Sequence, residues 1–189
     1  MGLGTGSTVA FLLPALAARG LELRCAATSP ATERAARELG LIVEPLDSVG
    51  RLDIAIDGAD QIAPDGWLVK GGGGAHTREK VVAAAATRFV VIASSDKLVE
   101  ELRPPVPLEL LCFGVTFTLA AVAPAELRTG PLSPDGNAIA DYLGPVGDPG
   151  VLASRLSAVP GVVEHGLFSP KLVSDVLVAH GSRVDHMQL

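Results

Sequence analysis

Four consecutive glycines, Gly71 to Gly74, separate an apolar run from a long alanine-rich segment. Four residues without side chains weaken any regular element, because each loses more backbone freedom on folding than any other residue type. Such a run belongs where backbone approaches a ligand closely, or where φ must be positive. The surrounding stretch, Leu52 to Val82, reads LDIAIDGADQIAPDGWLVKGGGGAHTREKVV. Ile54, Ala55 and Ile56 form an apolar strand pattern that ends in Asp57 and Asp60. Pro64-Asp65-Gly66 is a turn, and Trp67, Leu68 and Val69 lead into Lys70. Thr77, Arg78, Glu79 and Lys80 then open a segment whose spacing predicts a helix from Thr77 to about Thr87. A glycine run just before a helix presents N–H groups at the positive end of the helix dipole, which suits an anion. It is not a Walker loop, because GxxxxGK[ST] is absent and the lysine precedes the glycines.

Taken singly, each of these residues has a plain structural reading. Asp57-Gly58-Ala59-Asp60 serves equally as an Asx turn and helix cap, Glu79 as a complement to a helix dipole, and Lys70 as a surface charge. A linker, however, would not be bracketed by strand and helix patterns. Together the residues supply two carboxylates, an ammonium, bare backbone and a third carboxylate, the parts for general acid–base work on a polar, anionic substrate.

Earlier in the chain, Gly2-Leu3-Gly4-Thr5-Gly6-Ser7-Thr8 precedes a helical pattern from Val9 to Arg19, stopped by Gly20. Loop then helix is an anion-binding arrangement, with Ser7 and Thr8 hydroxyls and backbone N–H groups as donors. As a Rossmann fingerprint it fails, since Ser7 takes the third glycine position and no strand is expected before it. Leu21 to Ala27 and Leu41 to Leu46 read as strands around a helix from Ala31 to Gly40. Arg88 to Ala93 reads as a buried strand. Strands alternating with helices predict a parallel, doubly wound sheet, with ligands at the carboxyl ends of its strands. Three prolines between Pro104 and Pro107 mark a boundary. Beyond it, Phe113 to Val122 and Pro149 to Val159 read as helices, and Ala138 to Leu143 and Val162 to Glu164 as strands of a small α+β unit. Gly166-Leu167-Phe168 through Val178 reads as a return into the main sheet.

Composition excludes several classes. A net charge of −6 without a basic tract argues against nucleic acid, and an aromatic content of 4% argues against stacking surfaces. No apolar run reaches the ~18 residues of a membrane span, and the start lacks a signal-peptide pattern. Cys25 and Cys112 stand alone, which predicts reduced thiols and a cytoplasmic location. His76, His165, His180 and His186 have no metal-ligand spacing.

The segments IDGADQI, LVKGGGGAHTREKVV and GLGTGSTVAFLL resemble the signature segments of the ribose-5-phosphate isomerase type A family. The likeness continues through TSPATERAARELG, IASSDKLV, VPLEL, DGNAIADY, AVPGVVEHGLF and SDVLVAHG, in that family's order. It implies an α/β fold, a Rossmann-like, mostly parallel doubly wound sheet, with a smaller α+β ferredoxin-like domain. The expected division is residues 1–102 plus 165–189 for the main domain and 103–164 for the small one. Family members carry an N-terminal helix and a buried strand before the GTGST segment, and the expectation is that this chain lacks both. The activity implied is interconversion of D-ribose 5-phosphate and D-ribulose 5-phosphate through an enediolate. By resemblance Glu79 is the base, Asp57 assists ring opening, Asp60 positions Lys70, and Lys70 with the glycine loop stabilises the intermediate.

Thr5, Gly6, Ser7, Thr8 and Lys97 are implied for the phosphate, with Thr28, Ser29, Gly71, Gly72 and Gly73 as further pocket residues. The scheme implies a phosphorylated pentose as partner, no metal, nucleotide or redox cofactor, and a homo-oligomer, dimer or tetramer. Gln61 replaces the acidic residue usual after DGAD. His76 stands where the family has an apolar or small residue, and is expected to be a bystander. The helix Phe113 to Val122 is more apolar than usual and lacks expected basic residues, which points to altered subunit contacts. A catalytically silent sugar-phosphate sensor of the same fold is the alternative. Absence of a helix-turn-helix and retention of all four catalytic side chains count against it.

Overall fold

The computed structural model describes residues 1–188. In chain order the elements are β1 (Gly2–Leu3), α1 (Ser7–Ala17), β2 (Arg24–Ala27), α2 (Pro30–Glu38), β3 (Ile42–Val43), α3 (Leu46–Val49) and β4 (Leu52–Asp57). Next come β5 (Gln61–Ile62), β6 (Leu68–Val69), α4 (His76–Ala85), β7 (Ala86–Ser94), β8 (Val106–Leu110), α5 (Val115–Ala121) and β9 (Ala125–Leu127). The last are β10 (Ala138–Tyr142), α6 (Pro149–Ser157), β11 (Val162–His165), β12 (Leu167–Phe168), β13 (Asp175–His180) and β14 (Arg183–Gln188). Two compact units emerge. One holds Met1–Ala59, Arg78–Asp96 and Lys171–Leu189, and the other Asp60–Thr77 and Lys97–Pro170.

The first unit is built on a seven-stranded sheet in the order β14-β13-β7-β4-β1-β2-β3. All neighbours pair in parallel except the β13–β14 hairpin. Counted along the chain, the six parallel strands follow the 3-2-1-4-5-6 order of the Rossmann fold. Because crossovers are right-handed, the reversal of direction at β1 and β4 sends α1 and α2 to one face and α4 to the other. Leu3, Val9, Leu13, Cys25, Ala36 and Val43 form a core on the α1–α2 side. Burial pushes the Cys25 thiol above its ordinary value.

A strand does precede the GTGST segment, contrary to expectation. It is only two residues long, yet it lies mid-sheet, with Gly2 opposite Ala55 and Ala26, and Leu3 opposite Ile56 and Ala27. Its position explains its composition. A Cβ on Gly2 would lie 2.5 Å from Val82 Cγ1 and 2.8 Å from Ala55 Cβ.

The second unit contains a four-stranded antiparallel sheet, β11-β8-β10-β9, crossed by α5 and α6. The chain order βαββαβ makes it ferredoxin-like. Its core is Val106, Leu108, Leu110, Val122, Ala140, Tyr142, Leu152 and Leu156 with their neighbours. A second, three-stranded sheet joins β5 and β6 to β12. Leu167 and Phe168 therefore pair with Val69 and Leu68 and do not continue into the main sheet as expected; β13 makes that return. The same pairing draws residues 60–77, expected with the main domain, into the second unit. Lys70 N–H donates to Gly166 O at 2.8 Å, and Val99 N–H to Ile62 O at 3.0 Å.

Asp175, at the start of β13, is buried and accepts bonds from Arg88 at 2.8 Å and from His186 Nε2 at 2.7 Å. The Arg88 hydrogen bond first, then that of His186, holds its carboxyl below the ordinary 3.8. A depressed folded value adds stability that is complete above the unfolded value and lost as pH falls through the folded one. Urea titrations of wild type and Asp175→Asn from neutral to strongly acidic pH should show a gap that narrows below the ordinary carboxylate range. Parallel curves at every pH would remove Asp175 from this role.

Candidate active site

In the first unit, the strand order reverses between β1 and β4, so their carboxyl ends border the crevice where ligands bind in open α/β sheets. The chain places Gly4 to Thr8 after β1 and Asp57 at the end of β4. The two are stitched together. Gly4 N–H donates to Ile56 O at 2.9 Å, and Thr5 N–H to Asp57 Oδ1 at 3.1 Å. Gly58 N–H donates to the same Oδ1 at 2.7 Å. Two backbone donors thus fix the orientation of Asp57, which is only 2% exposed. The contact is close enough to dictate residue 4: a Cβ there would sit 2.0 Å from Asp57 Cγ.

Thr5 faces the next strand. Its hydroxyl and that of Thr28 are hydrogen-bonded at 2.7 Å, and Thr32 Oγ1 donates to Gly4 O at 2.9 Å. Ser29 caps α2, its Oγ accepting from Thr32 N–H at 3.2 Å. Thr5, Thr28 and Ser29 are therefore tied into a hydroxyl network that braces the loop against β2 and α2. Gly6 and Ser7 remain exposed at the start of the eleven-residue helix α1, with Thr8 partly so. Gly6 has φ +118°, a value side chains rarely adopt. Glu79 lies in the first turn of α4 and is 4% exposed. That helix ends at Ala85, short of the expected Thr87, because Ala86 already pairs opposite Leu52 in β7.

The second unit carries Asp60, Lys70 and the glycines. The β5–β6 hairpin turns through Pro64-Asp65-Gly66, with Gly66 at φ +84°. Lys70 is 3% exposed, and its Nζ lies 5.4 Å from the centroid of the Phe168 ring. Asp60 Oδ2 accepts Gly72 N–H at 2.8 Å. Gly71 has φ +107°, and a Cβ on it would lie 2.6 Å from His76 Nδ1. His76 is fully buried against the loop, so it shapes the loop and is more than a bystander. Gln61 both donates to Arg103 O and accepts from Arg103 N–H, each at 2.8 Å. A carboxylate at residue 61 would only accept. Lys97 ends a 3₁₀ turn, Ser95–Lys97, and is half-buried.

Two contributors escaped sequence reasoning. Glu109, fully buried on β8, accepts bonds from Thr77 Oγ1, Ser133 Oγ and Asn137 Nδ2. It holds Thr77 to β8. Its signal was a lone charge inside the apolar VPLEL. Arg128 Nη1 donates to Gly71 O at 2.9 Å and Gly72 O at 3.0 Å. No sequence spacing points to that contact. Among the described residues, no group of three His, Cys, Asp or Glu could hold a metal, and no helix is long and apolar enough to cross a membrane.

The first unit defines an α/β protein of Rossmann strand order. The family model described as ribose 5-phosphate isomerase A (phosphoriboisomerase A) matches residues 24–183. The ribose-5-phosphate isomerase A of Caulobacter vibrioides is 45% identical over 204 residues, covering all of this chain and 89% of the relative. The solved ribose 5-phosphate isomerase A of Methanocaldococcus jannaschii superposes with TM-score 0.93 at 33% identity, over all of this chain and 90% of that one. A D-ribose-5-phosphate isomerase in complex with phospho-erythronic acid gives 0.93 at 32%, again over all of this chain and 90% of that one. The chain belongs to the ribose 5-phosphate isomerase A family.

The contact at residue 4 yields a direct test. Gly4→Ala should destabilise the protein by about 1–3 kcal/mol, the usual range for overpacking, measured by urea denaturation. A variant as stable as wild type would show that Asp57 can retreat freely.

Proposed function

We propose that the protein interconverts D-ribose 5-phosphate and D-ribulose 5-phosphate by acid–base proton transfer. The observation that carries this reading is the burial of Asp57, Lys70 and Glu79, each under 5% exposed, in a chain of this family. Burying charge opposes folding, and buried ionisable groups gather at functional sites as well as in structural networks such as those of Glu109 and Asp175. It is the match of these three to the family's signature segments that assigns them to chemistry.

The sugar ring first opens, with Asp57 as the group that accepts and returns the hydroxyl proton. Glu79 then abstracts the C2 proton as a carboxylate. The electrons released form the C1–C2 double bond of an enediolate, and negative charge collects on oxygen. Lys70 and the N–H groups of Gly71 and Gly73 stabilise that charge, while Asp60 anchors the loop through Gly72 N–H. Glu79 next delivers its proton to C1, and the O2 proton passes to O1, leaving the ketose. Nothing is oxidised or reduced overall. The phosphate rests on the α1 N-terminus, where Gly6 N–H and the hydroxyls of Ser7 and Thr8 meet the positive end of the helix dipole. Lys97 supplies a second positive charge to it. Thr5, Thr28 and Ser29 support this loop from beneath.

The protein acts in the cytoplasm within the non-oxidative pentose phosphate pathway, as a homo-oligomer. Phe113 and Phe117, 93% and 86% exposed on and beside α5, support subunit contacts in the small unit.

Glu79→Gln preserves shape and removes the base. It should lower kcat by roughly 10²–10⁴-fold while leaving the affinity for ribose 5-phosphate within a few-fold. Steady-state kinetics and calorimetric titration measure the two, and near-normal turnover would take the base role from Glu79.

A further inference from the structure

Arg128 follows β9 directly and is built into the sheet by its own N–H, which donates to Ile139 O at 2.9 Å. Its guanidinium is gripped from one side by Asp141 on β10. Nε donates to Oδ2 at 2.8 Å and Nη2 to Oδ1 at 2.7 Å, a forked pairing that fixes the guanidinium plane. The remaining nitrogen, Nη1, donates to two successive carbonyls of the glycine run, Gly71 O and Gly72 O. Glycine peptides have wide conformational freedom, and here two are pinned by one cation. With 25% and 22% of their side chains exposed, Arg128 and Asp141 are mostly buried, so their forked pairing supports the fold while leaving Nη1 for the glycine carbonyls.

Peptide geometry shows what the pinning achieves. The peptides of the loop are trans, and in a trans, planar peptide the N–H points opposite to the C=O. With the Gly71 carbonyl turned to Arg128, Gly72 N–H faces away, and there it meets Asp60 Oδ2 at 2.8 Å. With the Gly72 carbonyl turned the same way, Gly73 N–H is also sent to the side opposite Arg128. A cation on the carbonyl oxygen also polarises the amide and strengthens its N–H as a donor.

We propose that Arg128, oriented by Asp141, is a positioning residue that turns the Gly72 and Gly73 N–H groups toward Asp60 and the developing enediolate oxygen. The enediolate part rests on the isomerase reading; the loop contact does not. Lysine cannot replace it, because a single ammonium cannot hold the forked carboxylate and two carbonyls together.

The test compares wild type, Arg128→Ala, Arg128→Lys and Asp141→Asn in three measurements: ribose 5-phosphate kinetics, thermal melting and amide hydrogen exchange at Gly72 and Gly73. In Arg128→Ala, kcat should fall on the order of 10- to 100-fold with KM changed by less than about 3-fold. Melting should fall by only a few degrees, leaving the protein folded at the assay temperature, and added guanidinium at non-denaturing concentration should restore part of the rate. Arg128→Lys should stay impaired, and Asp141→Asn should fall between. The Gly72 amide should exchange roughly 10-fold faster once the loop is released. Unchanged kcat in Arg128→Ala, or a loss matched by loss of folded protein, would overturn the positioning role. Wild type without turnover would sink the isomerase reading instead. The exchange result would then decide the loop contact alone, and unchanged exchange would refute it.

Discussion

The carboxylate of Asp57 occupies the space that any side chain on residue 4 would need. That mutual exclusion sets much of the first unit. It requires glycine at the end of β1 and brings the Thr5 amide onto Asp57 Oδ1. The chain then turns through Gly6 into α1, so the helix N-terminus opens where the strand order reverses. A parallel sheet of this order has one such crevice, and the chain reaches it with a strand of only two residues. Gly2 obeys the same rule one pleat earlier, against Val82 and Ala55. Close backbone approach, rather than flexibility, is the reason for these glycines.

The second unit solves a different problem, which is how to hold a segment with almost no side chains. The glycine loop is restrained through its carbonyls by Arg128, through one N–H by Asp60, and by His76 packed against Gly71. None of these restraints fills the loop with its own bulk, so its backbone stays accessible to polar chemistry. Glu109 performs an analogous service within the second unit by gathering Thr77, Ser133 and Asn137 on one buried carboxylate. Buried polar clusters of this kind specify geometry only when each member is satisfied.

What could be read in the sequence follows from the range of the forces involved. Asp57, Lys70 and Glu79 were legible because local patterns, strand then turn then helix, place them at element ends. The ferredoxin-like unit was legible from turn signals such as Pro134-Asp135-Gly136-Asn137. Arg128 was not, since the glycine carbonyls it binds lie more than fifty positions away and guanidinium–carbonyl contacts leave no spacing signature. The end of α4 was not, because Ala83 to Ala86 carries no stop signal; pairing of Ala86 with Leu52 decides it. β14 was hidden for another reason. It is an edge strand of mainly exposed residues, Arg183 and His186 among them, and edges are kept charged against unwanted pairing. Leu167 and Phe168 matched a strand pattern, but only long-range pairing with β6 reveals which sheet they join.

The central claim is proton transfer on a phosphorylated pentose, and ketose formation from ribose 5-phosphate measures it most directly, with unphosphorylated ribose in parallel. The account predicts saturable conversion of ribose 5-phosphate to ribulose 5-phosphate, with ribose turned over poorly for want of the phosphate. A folded protein that binds ribose 5-phosphate and forms no ketose would contradict it and leave a binding protein of the same fold.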